Sequence, residues 1–248
     1  MSSSALSPRP DQVAELTRGL DLPLAAIDEV YLQIIAEGVV QAFQDIRASA
    51  LTSVTTGDEA EVTALLVARL NRMIEEDTVW RQLVTCVVRG AESLSYDGAH
   101  LEKRPDLSIL LSGRALRFPL IAEAKIIDAT RGENLYCSQG LRRFLNGQYG
   151  WGGREAFMIA YVRDGTMIAG RLQPFLAQFA QAASYAVQTA PTVLATAGCD
   201  AARSSHGRSF LYSHTTPPAN DPGAIAIWHL WVDAAPLTTP TLGSATTP

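Results

Sequence analysis

Apolar residues recur at three- and four-residue spacing through Ile27, Val30, Tyr31, Ile34, Ile35, Val39 and Phe43, the period of one helix face. The pattern predicts helix from Asp11 to about Arg47, with Pro23 opening its longer part. A Thr/Gly break over 52–57 precedes a second amphipathic helix, from about Asp58 to Glu76. Its stripe is Val62, Leu65, Leu66, Leu70, Met73 and Ile74, and its first turn is acidic, as the helix dipole favours. The texture then shortens. Leu83 to Val88 and Ser93 to Tyr96 read as extended, with Asp97-Gly98 as a turn. Asp106 to Leu111 and Phe118 to Ile127 are apolar runs of strand length separated by Ser112-Gly113. Glu133 to about Asn146 reads as helix ended by Gly147, and Ala156 to Val162 as strand. Pro174 to Gln188 reads as helix, and Phe210 to Ser213 and Ala224 to Val232 as late strands.

Helix, three strands, helix, strand is a mixed α/β order. The expected organisation is a helical N-terminal extension over 11–57 and one α/β domain over 58–235. Ser/Pro-rich and Thr/Pro-rich stretches, 1–10 and 236–248, read as solvated tails.

Composition narrows the class. Hydrophobic residues make up 47% of the 248 and charged residues 18%, enough to bury a real core. No apolar run approaches the roughly 20 residues of a membrane span, and the N-terminus lacks a basic segment leading into an apolar one. Cys86, Cys137 and Cys199 lie far apart, which excludes a disulfide framework or CxxC knuckle and suits a reducing cytoplasm. The net charge of -5 is unevenly spread: 100–171 holds 11 Lys+Arg against 7 Asp+Glu, the rest 9 against 18. A basic middle between acidic flanks permits a polyanion-binding face.

The basic residues are 18 arginines and two lysines, Lys103 and Lys125. Where arginine supplies generic charge, a lysine points to a specific need, because its amine is compact and its pKa is movable. Lys125 stands in Ile121-Ala122-Glu123-Ala124-Lys125. On a strand Glu123 and Lys125 share one face and Ala124 takes the other. A hairpin through Ser112-Gly113 can bring Asp106, of Arg104-Pro105-Asp106, beside Glu123. Two carboxylates and a backbone carbonyl suit a hard cation such as Mg²⁺. An adjacent ammonium can orient water or stabilise charge at phosphorus.

Pro105-Asp106, Glu123-Ala124-Lys125 and the acid-bearing helix upstream resemble the PD-(D/E)xK nuclease superfamily, the restriction-endonuclease-like fold. The resemblance extends to element order over roughly 58–165. Tyr136 to Phe144 (YCSQGLRRF), Ala156 to Tyr161, Ser213-His214 and His229-Leu230 resemble uncharacterised bacterial members. It implies an αβββαβ mixed-sheet core, with Asp106, Glu123 and the Ala124 carbonyl as ligands of Mg²⁺ (or of Mn²⁺ as a substitute) and Lys125 as the catalytic lysine. It also implies a further carboxylate from the first core helix. Glu59 and Glu61 compete for that role, and Glu59 is preferred because it shares the stripe of Val62 and Leu66. Gln139, Arg142 and Arg143 are candidates for positioning phosphate. The implied activity is metal-dependent phosphodiester hydrolysis in a defence, mobile-element or repair setting, with DNA favoured over RNA as substrate. The acidic N-terminal helices suit a homodimer or partner-protein contact.

The same residues support other readings. In one, Asp106 caps a turn after Pro105, and Glu123 and Lys125 form a cross-strand salt bridge. Two charges on an apolar central strand are costly without a function. In another, a catalytically silent nuclease-fold protein binds DNA or a partner. A glycosidase carboxylate pair is disfavoured by the neighbouring lysine and the 7% aromatic content. His100, His206, His214 and His229 have no HExxH spacing and read as structural or surface residues, though His206 and His214 could flank a cleft. Gly150-Trp151-Gly152-Gly153 lacks the lysine of a phosphate loop and reads as a turn. Trp228 and Trp231 read as packing.

Overall fold

The computed structural model describes residues 10–100, 103–212 and 220–236. A seven-stranded mixed sheet runs through the molecule in the order β1-β2-β3-β4-β7-β6-β5. Its strands are β1 (Val84–Arg89), β2 (Leu107–Leu111), β3 (Leu120–Ile127), β4 (Glu155–Val162), β5 (Val187–Leu194), β6 (Asp200–His206) and β7 (Ile225–Asp233). β1, β2 and β3 form an antiparallel meander, and β3, β4 and β7 are mutually parallel. β6 and β5 add an antiparallel ribbon beyond β7.

The parallel centre is buried on both faces, as helical crossovers require. On one face, Ala122, Ala124 and Ile126 of β3 join Phe157, Ile159 and Tyr161 of β4 beneath α2 (Glu29–Ser49) and α4 (Glu59–Glu76). On the other, Ile121, Ile127, Met158 and Ala160 pack beneath helical residues 133–145 and α8 (Leu172–Ala177). Trp228 and Trp231 of β7 are both buried, one in each layer. A short helix, α5 (Thr78–Leu83), leads from α4 into β1, and the 133–145 segment is α6 (Glu133–Tyr136), a π turn Cys137–Leu141, and α7 (Arg142–Leu145). Among the described residues no helix is long and apolar enough to cross a membrane.

Several elements depart from expectation. The N-terminal helix is broken: α1 (Pro10–Thr17) ends well before α2, whose N-cap is Asp28 accepting from Val30 N. Pro23 opens no helix, because the intervening chain bonds across to the sheet end, Leu24 N to Gly152 O and Ile27 N to Glu155. Rather than an appended extension, α2 places Ile35, Val39 and Phe43 in the same core as the sheet. The Thr/Gly stretch is helical as α3 (Leu51–Thr56), with Val54 buried and the Thr55 and Thr56 hydroxyls donating back to Thr52 O. Ser93 to Tyr96 contributes only an isolated bridge, Ser93 with Lys103.

The expected helix 174–188 is α8 and α9 (Phe179–Ser184), broken at Gln178 and ended by Ala186 at φ 45, after which β5 begins. Phe210 and Tyr212 are buried in a satellite cluster rather than a strand, and Ser213 lies outside the described residues. Of the proposed tails, Pro10 opens α1, and 1–9 and 237–248 lie outside the described residues.

Candidate active site

β2 and β3 pair only from Leu107–Ala122 to Ile109–Leu120. Beyond Ala122 the β2 side of β3 has no strand partner, so its backbone polar groups must be satisfied in another way. Carboxylates do this. Asp106, just before β2, accepts from Ala124 N through Oδ2 at 2.8 Å. Glu59, in the first turn of α4, accepts from Ile126 N through Oε2 at 3.1 Å. The parting of two strands thus draws two acids from different elements to one edge.

The side-chain alternation of β3 supplies the rest. Glu123 and Lys125 emerge together, and Lys125 Nζ lies 2.9 Å from Glu123 Oε1, 2.9 Å from Glu59 Oε1 and 3.5 Å from Asp106 Oδ2. It also donates to Ala124 O. The three carboxylates therefore surround one ammonium. Their exposure is graded: the Glu123 side chain is 1% accessible, Asp106 27% and Glu59 33%, so the cluster opens toward Asp106 and Glu59.

The far wall is the 133–145 helix. Gly140 lets it approach closely, since a Cβ there would lie 2.4 Å from Met158 Cε and 3.5 Å from Glu123 Cγ. Three residues on, Arg143 donates to Glu123 Oε1 at 2.7 Å and to the Tyr149 hydroxyl at 2.8 Å. Tyr149, whose ring lies in the core, donates in turn to Arg104 O. Burial, reinforced by Asp106, pushes the Glu123 carboxyl up to about 7 despite its two cationic partners. Burial alone would lower the Lys125 ammonium, but Glu123, Asp106 and Glu59 outweigh it and raise its pKa, so the amine stays charged.

The structure thus brings together Asp106, Glu123, Lys125, Glu59, the Ala124 carbonyl and Arg143. Glu61 is not among them: it is exposed, and its backbone N–H caps onto Asp58. Gln139 is exposed four residues before Arg143. Arg142 points away, donating to Ser184 and lying 4.6 Å over the Tyr185 ring, because the helix puts consecutive side chains on different faces. Arg143, expected as a phosphate ligand, is bound to Glu123 instead. Asp106 caps β3 rather than its own turn, and the Glu123–Lys125 pair lies along one strand rather than across two.

His206 does not flank the site. It is buried in a chain with Ser204, His229 and Tyr136, and burial holds it down to about 4 and His229 to about 3. His214 lies outside the described residues and His100 is exposed. Sequence reasoning missed Tyr149, which carries no signal beyond being an aromatic residue between turn glycines Gly147 and Gly150.

The donor set fits a hard divalent cation in its chemistry: carboxylates, a backbone carbonyl, and a Glu123 Oε2 that is buried without a hydrogen-bond partner. Among the described residues no three His, Cys, Asp or Glu side chains form a ready metal cage. No protein-family model, no curated protein and no solved structure matches the chain.

Proposed function

We propose that this chain is a metal-dependent nuclease of restriction-endonuclease-like type that hydrolyses phosphodiester bonds, with DNA as the favoured substrate. The observation that carries the reading is the convergence of Asp106, Glu123 and Glu59 on Lys125 where β2 and β3 part. The order α4-α5-β1-β2-β3-helix-β4, with β3 parallel to β4, supports the same assignment. Asp106, Glu123 and the Ala124 carbonyl would hold Mg²⁺ or Mn²⁺, which supplies Lewis-acid stabilisation of charge at phosphorus. Lys125, kept protonated by its acidic neighbours, supplies a positive charge that orients water or meets developing negative charge. Glu59 steadies Lys125 and closes the edge of β3. Arg143, held by Tyr149, fixes the Glu123 carboxylate.

One observation favours a second reading. The ammonium already sits among the carboxylates, as it would in a catalytically silent member of the fold that binds DNA or a protein partner. Incubation of the pure protein with supercoiled plasmid, linear duplex, single-stranded DNA and RNA, in Mg²⁺, Mn²⁺ or EDTA, separates the two. Cutting that needs the metal and fails in Lys125→Ala is the expected result. Intact substrates throughout, with folded protein, would leave the binding role.

A further inference from the structure

We propose that Lys125 is a built-in placeholder for the divalent cation: its ammonium holds the place among Asp106, Glu123 and Glu59 that the ion takes, and is displaced when the ion enters. The inference rests on the nuclease reading above, and it concerns how that site is switched on.

Each carboxylate has an anchor that does not involve Lys125. Glu59 is held by Ile126 N at 3.1 Å, Asp106 by Ala124 N at 2.8 Å, and Glu123 by Arg143 at 2.7 Å. The three acids therefore keep these anchors when the ammonium leaves. The ammonium, in contrast, has three N–H groups for four oxygens, from Glu59, Asp106, Glu123 and Ala124. Those oxygens include the ones a cation would take, and two cations among them would repel strongly. Occupation by Lys125 and by a divalent ion are thus alternatives.

The orphaned Glu123 Oε2 marks the difference between the two states. It lies buried without a partner while Oε1 carries both Lys125 and Arg143, and a hard cation would satisfy it. The exit is on the Glu59–Asp106 side, where those side chains are 33% and 27% accessible. Swinging on its four-carbon stem, the amine would move to the mouth of the site, where a phosphodiester would lie. One movement then admits the cation and delivers the positive charge to the substrate.

Mn²⁺ binding to wild type and to Lys125→Met, followed by calorimetry, tests this directly. The variant should bind Mn²⁺ more tightly by about tenfold or more, since no ammonium competes. A second readout needs no variant. Lys103 and Lys125 are the chain's two lysines, so amine acylation of each is resolved by peptide mass spectrometry. Saturating Mn²⁺ should speed Lys125 acylation by about tenfold or more, in proportion to the displaced population, with Lys103 as the internal reference. Equal or weaker Mn²⁺ binding by a folded Lys125→Met protein overturns the proposal, as does a Lys125 rate unchanged or slowed by bound Mn²⁺. If neither protein binds Mn²⁺, the proposal and the metal-dependent reading fail together. Displacement without cleavage of any substrate would sink the nuclease reading alone.

Discussion

Burial raises the Glu123 carboxyl from 4.5 to about 7, with the Asp106 charge adding to the effect. Between those values the folded chain holds a proton that the unfolded chain has released. The contribution of Glu123 to stability therefore falls as pH rises through the interval and is constant above it. His206 and His229 act in the opposite sense: held neutral, they lose stability as pH falls below 6.5 toward their lowered values. Comparing wild type with Glu123→Gln cancels the histidine contribution. Urea unfolding at about pH 5 and about pH 8 should show the variant gaining on wild type by on the order of 2 kcal/mol at the higher pH. No change in the difference between the proteins would mean that Glu123 ionises freely. At the same scale, Arg143 illustrates how a residue expected to face substrate is claimed by a nearer charge: Glu123 Oε1 lies 2.7 Å away in a half-buried setting.

Among the elements, the 133–145 helix does most to shape the site, and it is tied to the far half of the sheet by a buried chain of polar groups. His206 Nδ1 donates to Tyr185 O, so Ser204 donates to His206 Nε2. His229 Nε2 then donates to Ser204, and Tyr136 donates to His229 Nδ1. These directions follow from Tyr185 O, which can only accept, with both imidazoles neutral; the single Tyr136 proton is then shared between His229 Nδ1 and Met158 O, 3.1 Å away. Tyr136→Phe would leave the His229 Nδ1 lone pair buried and unmet, at an expected cost of about 1–3 kcal/mol, read from the urea midpoint. A cost near zero would show that the network adds nothing to the seat of the helix.

The contrast in what the sequence disclosed follows from the same physics. β3 and β4 were legible because both faces are buried, giving apolar runs, and Glu123 and Lys125 stood out as the charges in one of them. β5 and β6 were not: β5 exposes most of its residues and reads VQTAPTVL, β6 buries small and polar residues and reads DAARSSH, neither shows an apolar period, and their pairing shifts register twice. The choice of Glu59 over Glu61 followed from the helical stripe, whereas Tyr149 reaches the site through a loop that no local period encodes.

Across the molecule, the basic excess of 100–171 is largely spent inside the fold. Arg163 donates to Val54 O and Gly57 O, closing the turn that precedes Glu59. Arg171 faces Glu133 and Asp164, and Arg154 donates to Leu24 O. These arginines brace connections around the sheet, so net charge by region is a poor guide to a binding face here. The sheet edge at β1 is closed in a similar way, with the Asn71 amide taking both Val87 N and Val87 O and leaving them unavailable to another strand. What remains accessible at the parting of β2 and β3 is the Asp106–Glu59 mouth of the acidic cluster. We propose that this opening performs metal-dependent phosphodiester hydrolysis. The most direct measurement is cleavage by wild type and by Asp106→Asn, purified identically, on one DNA substrate in Mn²⁺. Wild type should cleave, and the rate should fall by about 100-fold or more in the variant. Equal rates in the two proteins would place any cleavage outside this site and contradict the claim.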